Sequence, residues 1–90
     1  MFDQDEFERL LAKGSVEALR SGLERLFALP PSRRRDGRVA RIFLELSRRT
    51  GGKERERAFL AGYSYARTSR DPQARLLAER LRREFETWKR

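Results

Sequence analysis

The densest group of chemically active side chains in this sequence is a run of cations between Ser32 and Lys53. The run contains two acids, Asp36 and Glu45, and its eight cations are Arg33, Arg34, Arg35, Arg38, Arg41, Arg48, Arg49 and Lys53. A guanidinium group donates paired hydrogen bonds that fit a phosphate or carboxylate, and such contacts hold a nucleic-acid backbone without reading its sequence. If the segment is helical, five charged positions share one face: 34, 38, 41, 45 and 48. We therefore expect this surface to contact phosphate groups or an acidic partner.

Residues suited to catalysis or metal binding are scarce. The chain contains no Cys and no His, which excludes thiolate and imidazole ligands, cysteine nucleophiles and histidine general bases. The carboxylates of Glu54 and Glu56 are two residues apart and project from different sides of a helix, so they do not converge on one substrate atom. Gly51-Gly52-Lys53 lacks the leading glycine and the following Ser or Thr of a phosphate-binding loop. We expect no catalytic residues, no cofactor, no metal and no small-molecule substrate.

Length and charge indicate a small basic protein. Its 90 residues make one domain, residues 1–90, with no room for a second folded core. Lys and Arg total 22 against 14 Asp and Glu, a net charge of +8. No apolar run approaches the roughly 18 residues of a membrane span, and the acidic start is unlike a signal peptide. We therefore expect a soluble, cytoplasmic protein without a membrane partner.

The arginine content has two explanations besides function. The sequence contains no Asn and two Gln, and a scarcity of these thermolabile residues beside many charges is typical of thermophiles. A coding bias of the genome would raise the arginine content equally well. Under either explanation, part of the positive charge has no role in binding and belongs to solvated helix faces.

Glycine and proline divide the chain into five helical stretches. Breaks are expected at four places: near Gly14, Pro30-Pro31, Gly51-Gly52 and Asp71-Pro72. No segment alternates apolar and polar residues with the two-residue period of a strand. Because short connections favour antiparallel neighbours, the sequence predicts an all-α fold: a compact five-helix domain of antiparallel helical hairpins.

Apolar residues within these stretches follow the helical period. The second stretch carries a stripe made of Val16, Leu19, Leu23, Leu26 and Phe27. The third carries a stripe from Val39 to Leu46, opposite its charged face. Gly37 costs about 1 kcal/mol relative to alanine inside a helix, so the third helix begins either after Ser32 or only near Asp36.

The fourth and fifth stretches carry Gly62, Tyr65 and Ala74, separated by three and nine residues. On these residues, segment 58–85 resembles a single tetratricopeptide repeat, a helical hairpin that serves as a protein-docking scaffold. Because Gly and Ala leave room for a neighbouring backbone, we expect Gly62 and Ala74 to face each other across the two helices. The candidate partner-binding residues at this end of the chain are Gly62, Tyr63, Tyr65 and Trp88.

Two functions remain open at this stage. The favoured one is a non-enzymatic protein–protein interaction module, an adaptor or scaffold; the alternative is a nucleic-acid-binding protein that uses the arginine-rich surface of residues 33–53. Trp88 needs cover, either from the first helix, beside Phe2 and Phe7, or from another subunit. A homodimer is slightly favoured, because 90 residues bury a limited core unaided. Phosphate binding weakens steeply with salt and apolar docking hardly does, so salt dependence distinguishes the two functions.

Overall fold

Five helices and short connections make up the described part of the chain. A computed structural model describes the backbone of residues 3–88 and the side chains of residues 3–87. The helices are α1 (Gln4–Lys13), α2 (Val16–Phe27), α3 (Arg33–Arg49), α4 (Gly52–Ser69) and α5 (Pro72–Trp88). Residues 3–88 contain no strand. The all-α fold and the four predicted breaks are confirmed.

Capping side chains fix where the first three helices begin. The residues just before them, Asp3, Ser15 and Ser32, each accept a hydrogen bond from the backbone N–H three positions on, at 2.7–3.1 Å. These bonds satisfy N–H groups that have no partner within the helix. The cap at Ser32 makes α3 begin at Arg33 rather than near Asp36.

The third helix is the centre of the fold, because it packs against all four other helices. One core cluster lies mainly between α3 and the first two helices, with one residue from α4: Phe7, Leu19, Leu23, Leu26, Val39, Ile42, Leu46 and Ala58. The second lies between α3, α4 and α5: Ala40, Leu44, Phe59, Ala66, Ala74, Ala78, Leu81 and Phe85. In it, the rings of Phe59 and Phe85 stack with centroids 4.5 Å apart. A helix with neighbours on so many sides has little surface left for solvated charge.

Two glycines mark the closest approaches to α3. A Cβ at Gly62 would lie 2.8 Å from the Cγ of Leu44 and 3.1 Å from its backbone nitrogen. The prediction that Gly62 faces Ala74 is therefore wrong: this side of α4 packs on α3, while Ala74 is buried in the second core cluster. A Cβ at Gly37 would lie 2.9 Å from a carboxylate oxygen of Asp71. Gly37 thus lets the turn before α5 approach α3, which explains a glycine inside a helix.

Candidate functional site

The eight cations of residues 33–53 do not form one surface. Four of them are held by contacts within the chain: Arg35, Arg38, Arg41 and Arg49. The other four are exposed: Arg33, Arg34, Arg48 and Lys53. Of these, Arg48 pairs with Glu45 of its own helix at 3.5 Å. The expected charged face along α3 is therefore interrupted in its middle.

Two of the held arginines stabilise the ends of neighbouring helices. Arg35 donates from Nη1 to the Leu29 carbonyl, just beyond α2, at 3.1 Å. Arg49 donates from Nη2 to the Leu11 carbonyl in α1, at 2.7 Å, and from Nη1 to the carbonyl of Gly14. Carbonyl groups at helix C-termini have no partner within the helix, so these guanidinium groups satisfy acceptors that would otherwise depend on water.

The other two held arginines lie under α1. The guanidinium carbons of Arg38 and Arg41 stand 5.2 and 5.3 Å from the ring centroid of Phe7. Arg41 also donates to both carboxylate oxygens of Glu8, at 2.7 and 3.1 Å, and Arg38 is only 5% exposed. The acidic first helix of the same chain therefore covers this part of the expected charged face.

This contact changes the titration of Glu8. The hydrogen bond from Arg41 lowers the pKa of Glu8, and partial burial, which raises the pKa, does not cancel the effect. The carboxylate is therefore favoured in the folded state. Its charge helps to hold α1 against α3.

Glu8→Gln should reduce the loss of stability in acid. Folding lowers the pKa of Glu8 below its ordinary value of 4.5, so the carboxylate adds stability above that value and loses it as the pH falls through the folded value. Because the side chain is 45% exposed, solvent screening limits this contribution to about 0.5–1 kcal/mol. Urea unfolding at neutral pH and about pH 3 measures it. The variant should be less stable at neutral pH and should lose less on acidification.

The matched control is Glu17→Gln. Glu17 is exposed on α2 and forms no ion pair with a residue that the structure describes. This variant should keep the wild-type dependence on pH. If Glu8→Gln also kept it, the Glu8–Arg41 contact would not contribute to stability.

A groove opens between α2, α3 and α4. Its volume is about 590 Å³, and its apolar lining residues are Leu23, Phe43, Leu46, Ala58 and Ala61. Charged side chains form its rim: an exposed ion pair joins Arg20 to Glu54, and Arg57 lies nearby. We call this site the α2–α4 groove.

An aromatic cluster adjoins the α2–α4 groove and shares Phe43 with it. The ring of Phe43 stacks on that of Tyr65, with centroids 6.1 Å apart, and Phe27 lies 6.4 Å from Phe43 and 6.1 Å from Tyr65. Phe27 belongs to the predicted apolar stripe of α2, yet it is 43% exposed because α2 ends at this residue. The guanidinium of Arg35, 5.5 Å from its ring centroid, covers part of the ring.

The predicted partner-binding residues do not come together. Gly62 is buried against Leu44. Tyr63 turns toward α5, where its hydroxyl donates to Glu79 at 3.0 Å, while Tyr65 lies in the aromatic cluster. Because they are two positions apart on α4, the two tyrosines lie on different sides of the helix. Of this set, Tyr65 alone adjoins the α2–α4 groove among the described side chains.

The proposed contacts of Trp88 with Phe2 and Phe7 lie outside the described residues, since neither the side chain of Trp88 nor any part of Phe2 is among them. Phe7 is among the described residues, and it packs in the first core cluster.

Sequence reasoning did not find the α2–α4 groove. Its clearest signal is the pair Ala58 and Ala61, one helical turn apart on α4. Small residues at that spacing leave a shallow strip along a helix. Only the neighbouring helices decide whether such a strip is filled, as at Gly62, or left open.

None of the described helices combines the length and apolar character needed to cross a membrane. In the same residues, no group of three or more acidic, His or Cys side chains is placed to hold a metal ion. No family model, curated protein or solved structure matches this chain. The resemblance of residues 58–85 to a tetratricopeptide hairpin therefore stays a prediction.

Proposed function

We propose that this protein is a non-enzymatic interaction module that binds an amphipathic helix of a partner protein in the α2–α4 groove. The observation that carries the proposal is the apolar surface formed where the groove meets the aromatic cluster. Phe43 belongs to both, and beside it the ring of Phe27 stays 43% exposed. An exposed aromatic ring presents a large apolar area to water, and burial of that area by a partner is favourable.

The size of the α2–α4 groove suits such a partner. A volume of about 590 Å³ lies within the range of about 300–1,000 Å³ that binding clefts usually have. A helix that docks in a groove inserts apolar side chains at positions i, i+3 or i+4, and i+7. Ala58 and Ala61, one turn apart on the wall of the groove, leave room for such side chains.

Charge at the rim favours a partner helix with acidic flanks. Arg20 is paired with Glu54, whereas Arg57 is exposed and forms no ion pair with a described residue. The chain as a whole carries a net charge of +8, which accelerates encounter with an acidic surface. The predicted likeness of the α4–α5 hairpin to a protein-docking repeat agrees with this assignment.

The nucleic-acid alternative has less support. Its exposed cations divide into Arg33 and Arg34 at the start of α3, and Arg48 and Lys53 on either side of the α3–α4 connection. From residue 34 to residue 48, the helix rises about 21 Å. Between these ends, α1 covers the arginines that would join them. Two separated pairs offer a nucleic-acid backbone fewer neighbouring contacts than the continuous face expected from the sequence.

Peptide selection tests the proposal. The probe is a display library of helical peptides with a fixed apolar face and randomised flanks, selected on the full chain. We expect enriched peptides to carry acidic flanks and to lose no more than about fourfold in affinity between about 50 and 200 mM salt, because the apolar contacts release few ions and one rim cation, Arg57, meets the flanks. Ala61→Arg, which places a long charged side chain in the α2–α4 groove, should weaken their binding by at least about tenfold.

The matched control is Ser64→Arg, which adds the same side chain to an exposed position three residues further along α4. It should change binding by less than about twofold. Enriched peptides that bind both variants equally well would show that the α2–α4 groove is not the docking site. A library that yields no enrichment would count against the proposed function itself.

The sequence predicts a homodimer through Trp88, and a second copy of the chain would compete with a partner helix if it covered the α2–α4 groove instead. Sedimentation velocity at low micromolar concentration separates the two cases. A monomer that binds the selected peptides supports the proposed function. A dimer that dissociates on adding the peptides would place a second copy of the chain on this surface.

A further inference from the structure

A second cleft, of about 400 Å³, lies where the first turns of α3 meet α1 and the start of α5. It shares no lining residue with the α2–α4 groove. Four of its lining residues are arginines: Arg33, Arg34, Arg38 and Arg41. We call this site the arginine cleft.

The inner two arginines are held in place. Arg38 and Arg41 lie against the ring of Phe7, and the two hydrogen bonds to Glu8 fix the plane of the Arg41 guanidinium. Cationic groups that are already ordered lose little conformational entropy when they bind an anion. The inner wall of the arginine cleft is therefore preorganised.

The outer two arginines remain available. Arg33 and Arg34 are exposed and form no ion pair with a described residue. The single carboxylate among the described lining residues is that of Asp71, and it accepts the N–H of Gln73 at 3.0 Å, which caps α5. The lining therefore has more positive than negative charge.

The electrostatics of the inner wall also favour an anion. Burial lowers the pKa of Arg38, and the charges of Arg34 and Arg41 lower it further, while that of Asp3 raises it. Like charges held together at a partly dry site repel one another, so an anion between them relieves that repulsion.

We propose that the arginine cleft binds the terminal phosphate group of a small phosphomonoester. A terminal phosphate carries a charge of about −1.5 to −2 at neutral pH and accepts paired hydrogen bonds from guanidinium groups. Because Arg38 is only 5% exposed, an end group reaches it more easily than the backbone of a nucleic acid, in which each phosphate has a chain on both sides and carries a single charge.

Titration of the full chain with phenyl phosphate, followed by amide chemical shifts, tests this proposal. We expect saturable shifts concentrated in residues 33–41 and 71–73. Diphenyl phosphate, a diester with one charge, should bind at least about tenfold more weakly. Ala61→Arg in the α2–α4 groove should leave phosphate binding unchanged, so the two sites are tested independently.

Paired charge removals locate the binding. Replacing Arg33 and Arg34 by Gln should weaken phenyl phosphate binding by at least about tenfold. Replacing Arg48 at the end of α3 and Lys53 at the start of α4 by Gln removes the same charge and should weaken it by less than about twofold.

Three results would overturn the proposal. The first is equal weakening by the two double variants, which would mean general attraction by net charge. The second is the absence of saturable shifts. The third is tighter binding of an oligothymidylate without terminal phosphates than of phenyl phosphate, provided that this binding disappears when Arg33 and Arg34 are replaced. That result would assign the arginine cleft to a nucleic-acid backbone.

Discussion

Phe7→Ala should lower the free energy of unfolding by about 3–5 kcal/mol. Phe7 is fully buried in the first core cluster and is the one buried residue of α1. Its ring also carries the guanidinium groups of Arg38 and Arg41 on its surface. The variant therefore leaves a cavity and removes the aromatic face that offsets part of the cost of burying a charge. Urea unfolding monitored by circular dichroism measures the change.

Phe27→Ala is the matched control, because the same atoms are removed from a ring that is 43% exposed. It should cost about 1 kcal/mol or less. Limited trypsin digestion adds a local measurement, since Arg9 and Lys13 lie in α1 and should be cleaved faster in Phe7→Ala than in Phe27→Ala. Equal costs for the two variants would mean that α1 is not anchored by Phe7.

Gly62→Leu should destabilise the fold by about 1–3 kcal/mol through overpacking. The first side-chain atom would already lie 2.8 Å from the Cγ of Leu44 and 3.1 Å from its backbone nitrogen, so α3 and α4 must separate. Thermal and urea unfolding measure the loss. Ser64→Leu adds the same side chain at an exposed position of α4 and should change stability by no more than about 0.5 kcal/mol.

A double-mutant cycle identifies the contact. Leu44→Ala alone removes a buried side chain and costs stability, but in the Gly62→Leu background it also provides space for the new leucine. The two changes should therefore cost less together than the sum of their separate costs, by at least about 0.5 kcal/mol. Simple additivity would mean that the α3–α4 approach at Gly62 does not limit packing.

Local chemistry was enough to predict the helices and their ends. Pro30-Pro31 cannot continue α2, and the side chain of Ser32 caps the helix that follows. These effects act within a few residues, so they can be read without knowing the rest of the fold. Gly37 shows the limit of such reasoning, because the reason for a glycine there is the close approach of Asp71, 34 positions further on, where a Cβ would clash.

The surroundings of α3 were not predictable in the same way. Periodicity marks a face as charged or apolar, but it does not say which helix packs on it. Arginine adds to the difficulty, because its long stem packs on apolar groups and its guanidinium stacks on aromatic rings. The charge of Arg38 predicts a position at the surface, yet the residue is only 5% exposed.

The candidate site was predicted only in part, for a related reason. Tyr65 follows from the spacing of residues within one hairpin. The α2–α4 groove is a gap between three helices, and a gap depends on how closely those helices approach one another. Gly62 and Ala61 are neighbours in sequence, yet Leu44 fills the space beside Gly62, whereas Ala61 borders the open groove.

The central position of α3 also predicts an order of assembly. Its most extensive contact is with α4, from which only Thr50 and Gly51 separate it, so this hairpin closes with little loss of chain entropy. The contact of Glu8 with Arg41 spans 33 residues and forms only after a longer loop closes. In such a sequence of events, the α3–α4 hairpin acts as the folding nucleus and α1 docks late. Gly62→Leu should then mainly slow folding, and Phe7→Ala should mainly accelerate unfolding.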